Sequence, residues 1–154
     1  MFIFKSKEEL FLTLMDERLE AFKRQMIDRE IDEKGEGLIH SVKEILHLFI
    51  ELTEKDYWTP LFFEFCAISL RNEKIKETLL DHYEKWVQFI MAYLAGLKQS
   101  GKIDNGIDLR ETSFEILIAL DGFHWHKTIH SDEVHIQMVE KSFFSLLRLP
   151  LKEG

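Results

Sequence analysis

Phe4-Lys5-Ser6-Lys7-Glu8-Glu9-Leu10-Phe11 is the stretch from which the fold is read, because it starts an α-helix and sets the phase of the apolar positions after it. Ser6 is suited to accept a hydrogen bond from the free N–H groups of a first turn. Glu9, three positions on, can reach back to the Ser6 N–H and close a capping box. Beyond it Phe11, Met15, Leu19, Phe22 and Met26 recur at helical spacing with charged residues between them, which predicts an amphipathic helix from Ser6 to about Arg29. The Lys34-Gly35-Glu36-Gly37 turn then ends that pattern.

Five further helices are predicted along the chain. Leu38, Val42, Ile45, Phe49 and Leu52 form one stripe of a helix from Leu38 to about Glu54, and Leu46, Leu48 and Ile50 make it apolar on more than one side. Thr59-Pro60 reads as an N-cap followed by proline at the first helical position, opening Leu61 to Leu70, where only Glu64 and Ser69 are polar. Asn72 marks a kink before Glu73 to Ser100, whose stripe runs Ile75, Leu79, Tyr83, Trp86, Ile90, Tyr93 and Leu97 up to a Ser100-Gly101 stop. After the Asp104-Asn105-Gly106 turn comes a helix from about Asp108 to His130. Ser131 or Asp132 is expected to cap the last one, Val134–Leu149, with Ile136, Val139, Phe143, Leu146 and Leu147 on its apolar side. No strand pattern or repeat competes with this all-α reading.

At 154 residues and 45% hydrophobic content the chain is expected to form one domain, residues 1–154. A net charge of −8 argues against a phosphate backbone as partner, since Lys and Arg supply that affinity. The lone Cys66 has no internal disulfide partner, and no charged-then-apolar leader is evident, so a reducing cytoplasm is expected. Trp86 to Leu97, the longest uncharged apolar run, is too short for a membrane helix.

In this order the residues resemble the C-terminal domain of TetR-family transcriptional regulators. In that family an aromatic-x-x-Phe turn after the recognition helix comes directly before a Ser-Lys-Glu-Glu-Leu helix start, and Phe2-Ile3-Phe4 resemble the end of that turn. Leu61-Phe62-Phe63-Glu64-Phe65-Cys66-Ala67, followed by Arg71-Asn72-Glu73-Lys74-Ile75, resembles an apolar-Glu-apolar, then Arg-Asn/Asp-Pro segment of one branch, with Glu73-Lys74 where proline is usual. Ile118-Ala119-Leu120-Asp121-Gly122-Phe123 is similar to the Ala-Leu-x-Asp-Gly-Leu signature of its penultimate helix. The resemblance implies a six-helix effector-binding and dimerisation domain without its N-terminal helix-turn-helix, cytoplasmic, with no DNA binding by this fragment and no membrane partner. It implies a ligand sensor rather than an enzyme, with no cofactor, whose intact form would release operator DNA when a small molecule binds.

Two candidate sites emerge. Trp58, Phe62, Phe65, Cys66, Trp86, Phe89 and Tyr93 supply aromatic or apolar walls on three successive helices, where the resemblance places an apolar or aromatic effector; Glu64 and Ser69 are its candidate polar anchors, because buried polar groups need partners. The competing reading of the same rings is a packed core. The resemblance also places a homodimer interface on the last two helices, at Phe114, Ile118, Asp121, Gly122, Trp125, Ile129, Ile136, Val139, Phe143 and Leu147, as a four-helix bundle with the second copy. Gly122 in mid-helix costs about 1 kcal/mol in propensity, which close approach of another helix would offset.

Metal chemistry is the alternative. His124, His126 and His130 cluster near one helix end; His126 and His130 share a face and can ligate one ion, whereas His124 points elsewhere. Glu44-x-x-His47 and Asp121-x-x-His124 have the carboxylate-x-x-His spacing of di-iron bundles, though such pairs also arise by chance in an acid-rich chain. No metal ligands are assigned. Metal analysis separates that stand-alone helical protein from the sensing domain; a second alternative is a dimerisation module that acts on an intact regulator through the dimer helices.

Overall fold

In the computed structural model, which describes residues 6–31, 37–55 and 58–150, the Ser6 hydroxyl accepts a hydrogen bond from the Glu9 N–H at 3.1 Å. That cap opens α1, Lys7–Asp28. The chain continues through α2 (Leu38–Glu54), α3 (Trp58–Ser69), α4 (Glu73–Gln99), α5 (Leu109–Ile129) and α6 (Ile136–Leu146), with no strand among the described residues. No described helix is long and apolar enough to cross a membrane.

Three expected boundaries move. Helix α3 begins at Trp58, so Thr59 lies inside it and its hydroxyl donates to the Thr53 carbonyl at 3.1 Å instead of capping. Pro60 sits in the first turn, where a missing N–H leaves no helical bond unmade. Asn72 separates two helices instead of kinking one: its Oδ1 accepts from the Ile75 N–H at 3.2 Å and caps α4. Neither Ser131 nor Asp132 caps α6. The chain makes further turns there, the Glu133 and Val134 N–H groups both reaching the His130 carbonyl, and α6 starts two residues after Val134 without a side-chain cap.

Three helix ends share one device. At the end of α4 the Gly101 N–H donates to Lys98 and the Lys102 N–H to Leu97, a Schellman closure with Gly101 at φ +71°. The same pair of bonds closes α1 through Glu30 and Ile31, and α6 through Arg148 and Leu149, but with side chains at the left-handed position: Glu30 at φ +50° and Arg148 at φ +53°. Of the expected Lys34–Gly37 turn only Gly37 is described; its carbonyl accepts from the Ser41 N–H and hydroxyl, and residues 34–36 lie outside the described residues.

The described residues divide into two compact units, one of 6–31, 48–55 and 58–86, the other of 37–47 and 87–150. The first is built round Phe11, Met15, Trp58, Phe65, Ile75 and Leu79, with Leu12, Leu14, Phe62, Cys66 and Tyr83 packed against them. In the second, α5 packs on α6, and Ile116, Leu117, Leu120 and Phe123 are buried together with Val139, Phe143 and Leu147 as part of its interior. Arg148 donates to Asp104 at 2.8 Å, and Asp104 Oδ1 also accepts from the Gly106 N–H at 2.7 Å, so the end of α6 holds the α4–α5 turn.

Phe11→Ala should destabilise the protein by about 3–5 kcal/mol, and Glu30→Gly should stabilise it by about 1 kcal/mol by removing a Cβ from a left-handed position; denaturant titration reads both.

Candidate functional site

Phe11 occupies the place around which the expected effector walls gather. Its ring stacks on Phe65 at 3.7 Å and on Trp58 at 5.4 Å between centroids, with Phe62 at 6.4 Å. Thus Trp58, Phe62 and Phe65 are brought together, as predicted, but they close on a side chain of α1. Sequence reasoning placed Phe11 on an amphipathic stripe and did not connect it with them. Cys66 is half-buried in the same cluster. Trp86 lies elsewhere in this unit, with Phe22 at 5.5 Å and Phe49 at 5.6 Å. Phe89 and Tyr93 fall in the second unit and are half-buried there.

The structure removes the burial argument for the two anchors read from sequence. Glu64 is exposed, which removes the argument from a buried carboxylate. Ser69 is buried, but its hydroxyl donates to the Cys66 carbonyl at 2.6 Å and is satisfied within its own helix. A short hydroxyl on a helix commonly finds the carbonyl one turn back, so its burial alone does not ask for a ligand.

His82 is the polar group that the sequence reading missed. It is 6% exposed, and its Nε2 accepts a hydrogen bond from the Trp86 indole at 3.0 Å. Indole nitrogen only donates, so Nε2 carries the lone pair and the proton sits on Nδ1. Among the described residues that buried Nδ1–H makes no hydrogen bond; a carboxylate oxygen of Asp16 lies 3.8 Å away and is held by Lys85 at 2.9 Å. Burial pushes the His82 pKa down to about 4, the opposing pull of Asp16 being smaller. Its signal in the sequence was a histidine at i−4 to Trp86 on an amphipathic helix, a pattern shared by many solvated histidines.

The expected dimer residues separate by helix. On α5, Phe114, Ile118, Trp125 and Ile129 are exposed, Ile118 by 70% and Trp125 by 48%, with Asp121 and Gly122 half-buried between them. A Cβ on Gly122 would meet nothing within 4 Å, so no close packing among the described residues accounts for this glycine. On α6, Val139, Phe143 and Leu147 are buried in the chain's own interior and offer no free surface; Ile136 is half-buried and Met138 is exposed. The short 130–135 connection explains the difference: folding α6 back on α5 closes a small loop at low entropic cost, so its stripe is covered first from within.

The histidine cluster also splits. His124 is buried, with a pKa lowered by burial to about 4, whereas His126 and His130 are exposed with near-parallel rings. His47 pairs with Glu140 at 3.3 Å and Glu44 with His40 at 3.2 Å, so Glu44 and His47 each face a different partner. Among the described residues no group of three or more His, Cys, Asp or Glu side chains is placed to hold a metal ion.

No family model matches the chain, and no curated protein matches it. The fold is similar to that of the solved structure of Salmonella enterica GusR, a TetR-family regulator, with a TM-score of 0.69 over 94% of this chain and 74% of that one at 22% identity. The architecture is therefore the TetR-like all-α fold.

Both buried histidines bind a proton less readily in the folded chain, at about 4, than at their ordinary 6.5. Their stabilising effect is complete above pH 6.5 and is lost as the pH falls towards 4, because the unfolded chain takes up the protons. Melting temperature should fall across that window, and His124→Leu should make the fall shallower.

Proposed function

We propose that the chain is the ligand-sensing and dimerisation domain of a TetR-like transcriptional regulator, acting by binding and not by bond-making chemistry. The observation that carries this reading is the face of α5. Phe114, Ile118, Trp125 and Ile129 lie exposed along one face of the helix, with Asp121 and Gly122 between them, and a Cβ on Gly122 would meet nothing within 4 Å among the described residues. A line of large apolar side chains along one helix is unfavourable on a free monomer. A second copy, placing the same helix against it about a two-fold axis, covers the face and lets the helices approach at Gly122. The TetR-like fold supports this geometry, and α6 would contribute chiefly through Ile136 and Met138.

The sensing half rests on the first unit. The Phe22–Phe49–Trp86 cluster lies beside a buried N–H donor on His82 with no acceptor, which suits a flat ligand bearing a carbonyl, hydroxyl or carboxylate oxygen. Asp16 and Lys85 lie at its edge and tie α1 to α4, so an acceptor on His82 would act where α1 is held. In an intact regulator, movement of α1 would reset the spacing of two DNA-reading heads. At net charge −8 this chain itself is expected to have no specific affinity for a duplex.

Sedimentation at micromolar concentration should show a dimer, with Ile118→Glu and Trp125→Glu producing a folded monomer and Gly122→Leu weakening association. A wild-type monomer overturns the dimer reading. A panel of flat aromatic carboxylates and phenols should include compounds that raise the melting temperature by mass action. That shift should disappear in His82→Phe; a panel without any shift overturns the sensing reading.

A further inference from the structure

We infer that His126 and His130 form a two-imidazole chelate for a divalent transition-metal ion where α5 ends, His126 lying in its last turn and His130 being its C-cap. The two side chains are one helical turn apart, both exposed, and their rings lie within 15° of parallel with centroids 5.8 Å apart. An imidazole lone pair lies in the plane of its ring, so the stacked pair does not yet point both nitrogens at one ion; chelation at about 2.1 Å requires both rings to turn about their side-chain torsions, which exposed rings are free to do.

The backbone beneath them is already fixed. The His130 N–H donates to the His126 carbonyl at 2.7 Å, closing the turn that carries both ligands. Lys127, which follows His126, directs its ammonium to the Ser131 and Val134 carbonyls at 3.1 and 2.9 Å and holds the segment after the helix. Binding therefore orders little beyond two exposed rings. The position favours a cation as well, because the last carbonyls of a helix carry its negative end.

No third protein ligand joins the pair among the described residues, so water completes the coordination. Imidazole donors with open positions suit copper(II), nickel(II) and zinc(II), with copper(II) tightest. This inference does not use the sensing reading; Trp125 and Ile129 of the proposed dimer face neighbour the pair, so the titration is repeated on the Ile118→Glu variant, in which the dimer reading expects a monomer.

The test is calorimetric titration of the metal-free chain with copper(II), nickel(II) and zinc(II) chlorides. One ion per chain is expected, copper(II) tightest. His126→Gln and His130→Gln should each weaken copper(II) binding by about a hundredfold, the advantage of a second donor held on the same rigid element. Both variants should melt like the wild type when metal is absent, since the rings are exposed. His135→Gln, whose ring Nδ1 lies 2.9 Å from Gln137 Oε1, should bind as the wild type does. Absence of saturable binding in the wild type overturns the inference. So does unchanged binding in the double variant, or a loss in His135→Gln equal to that in His126→Gln.

Discussion

Arg18 holds three helices of the first unit at one point. Its guanidinium donates to the Leu52 and Lys55 carbonyls at the end of α2, and it lies 5.2 Å from the centroid of the Trp58 ring that begins α3. The last carbonyls of a helix need partners from outside it, and a charged fork satisfies two of them more strongly than a neutral donor would. With α2 and α3 fixed in this way, Trp58, Phe62 and Phe65 are presented to Phe11, near the start of α1. The aromatic cluster is thus a consequence of an end-capping bond as much as of ring–ring attraction.

That arrangement bears on sensing. Among the contacts that hold α1 are two dissimilar ones: the apolar seat of Phe11 and the charged pair of Asp16 with Lys85. The first is dry and costly to disturb. The second is exposed, worth little by itself, and adjacent to the buried His82 donor that lacks an acceptor. In the sensing role proposed above, a ligand acting at the weak contact would shift α1 without dismantling the strong one.

How far the sequence could be read depends on which forces it encodes locally. Helix periodicity and the Ser6 cap are local, and α1, α2 and the Gly101 stop stand within a residue of their expected places. The stops at Glu30 and Arg148 were not legible, because an ordinary side chain in the left-handed position carries no compositional mark; Arg148 is retained there with its side chain on Asp104. Choosing which apolar stripe faces inward was also beyond a single sequence. Val139, Phe143 and Leu147 have the same spacing whether a partner copy or α5 covers them, and only loop closure through 130–135 decides it. The burial argument for Glu64 fell for a related reason: a polar residue within an apolar run can lie on the one face of a short helix that reaches water.

Trp86 is, through His82, an optical probe built into the first unit. Because Nδ1 already carries the imidazole proton, a second proton can enter only at Nε2, the atom that accepts from the indole. Protonation therefore replaces an acceptor with a donor facing another donor, and the bond must break. The emission of Trp86 will change with it, so the charge state of one buried ring is written into the fluorescence of its neighbour without any label.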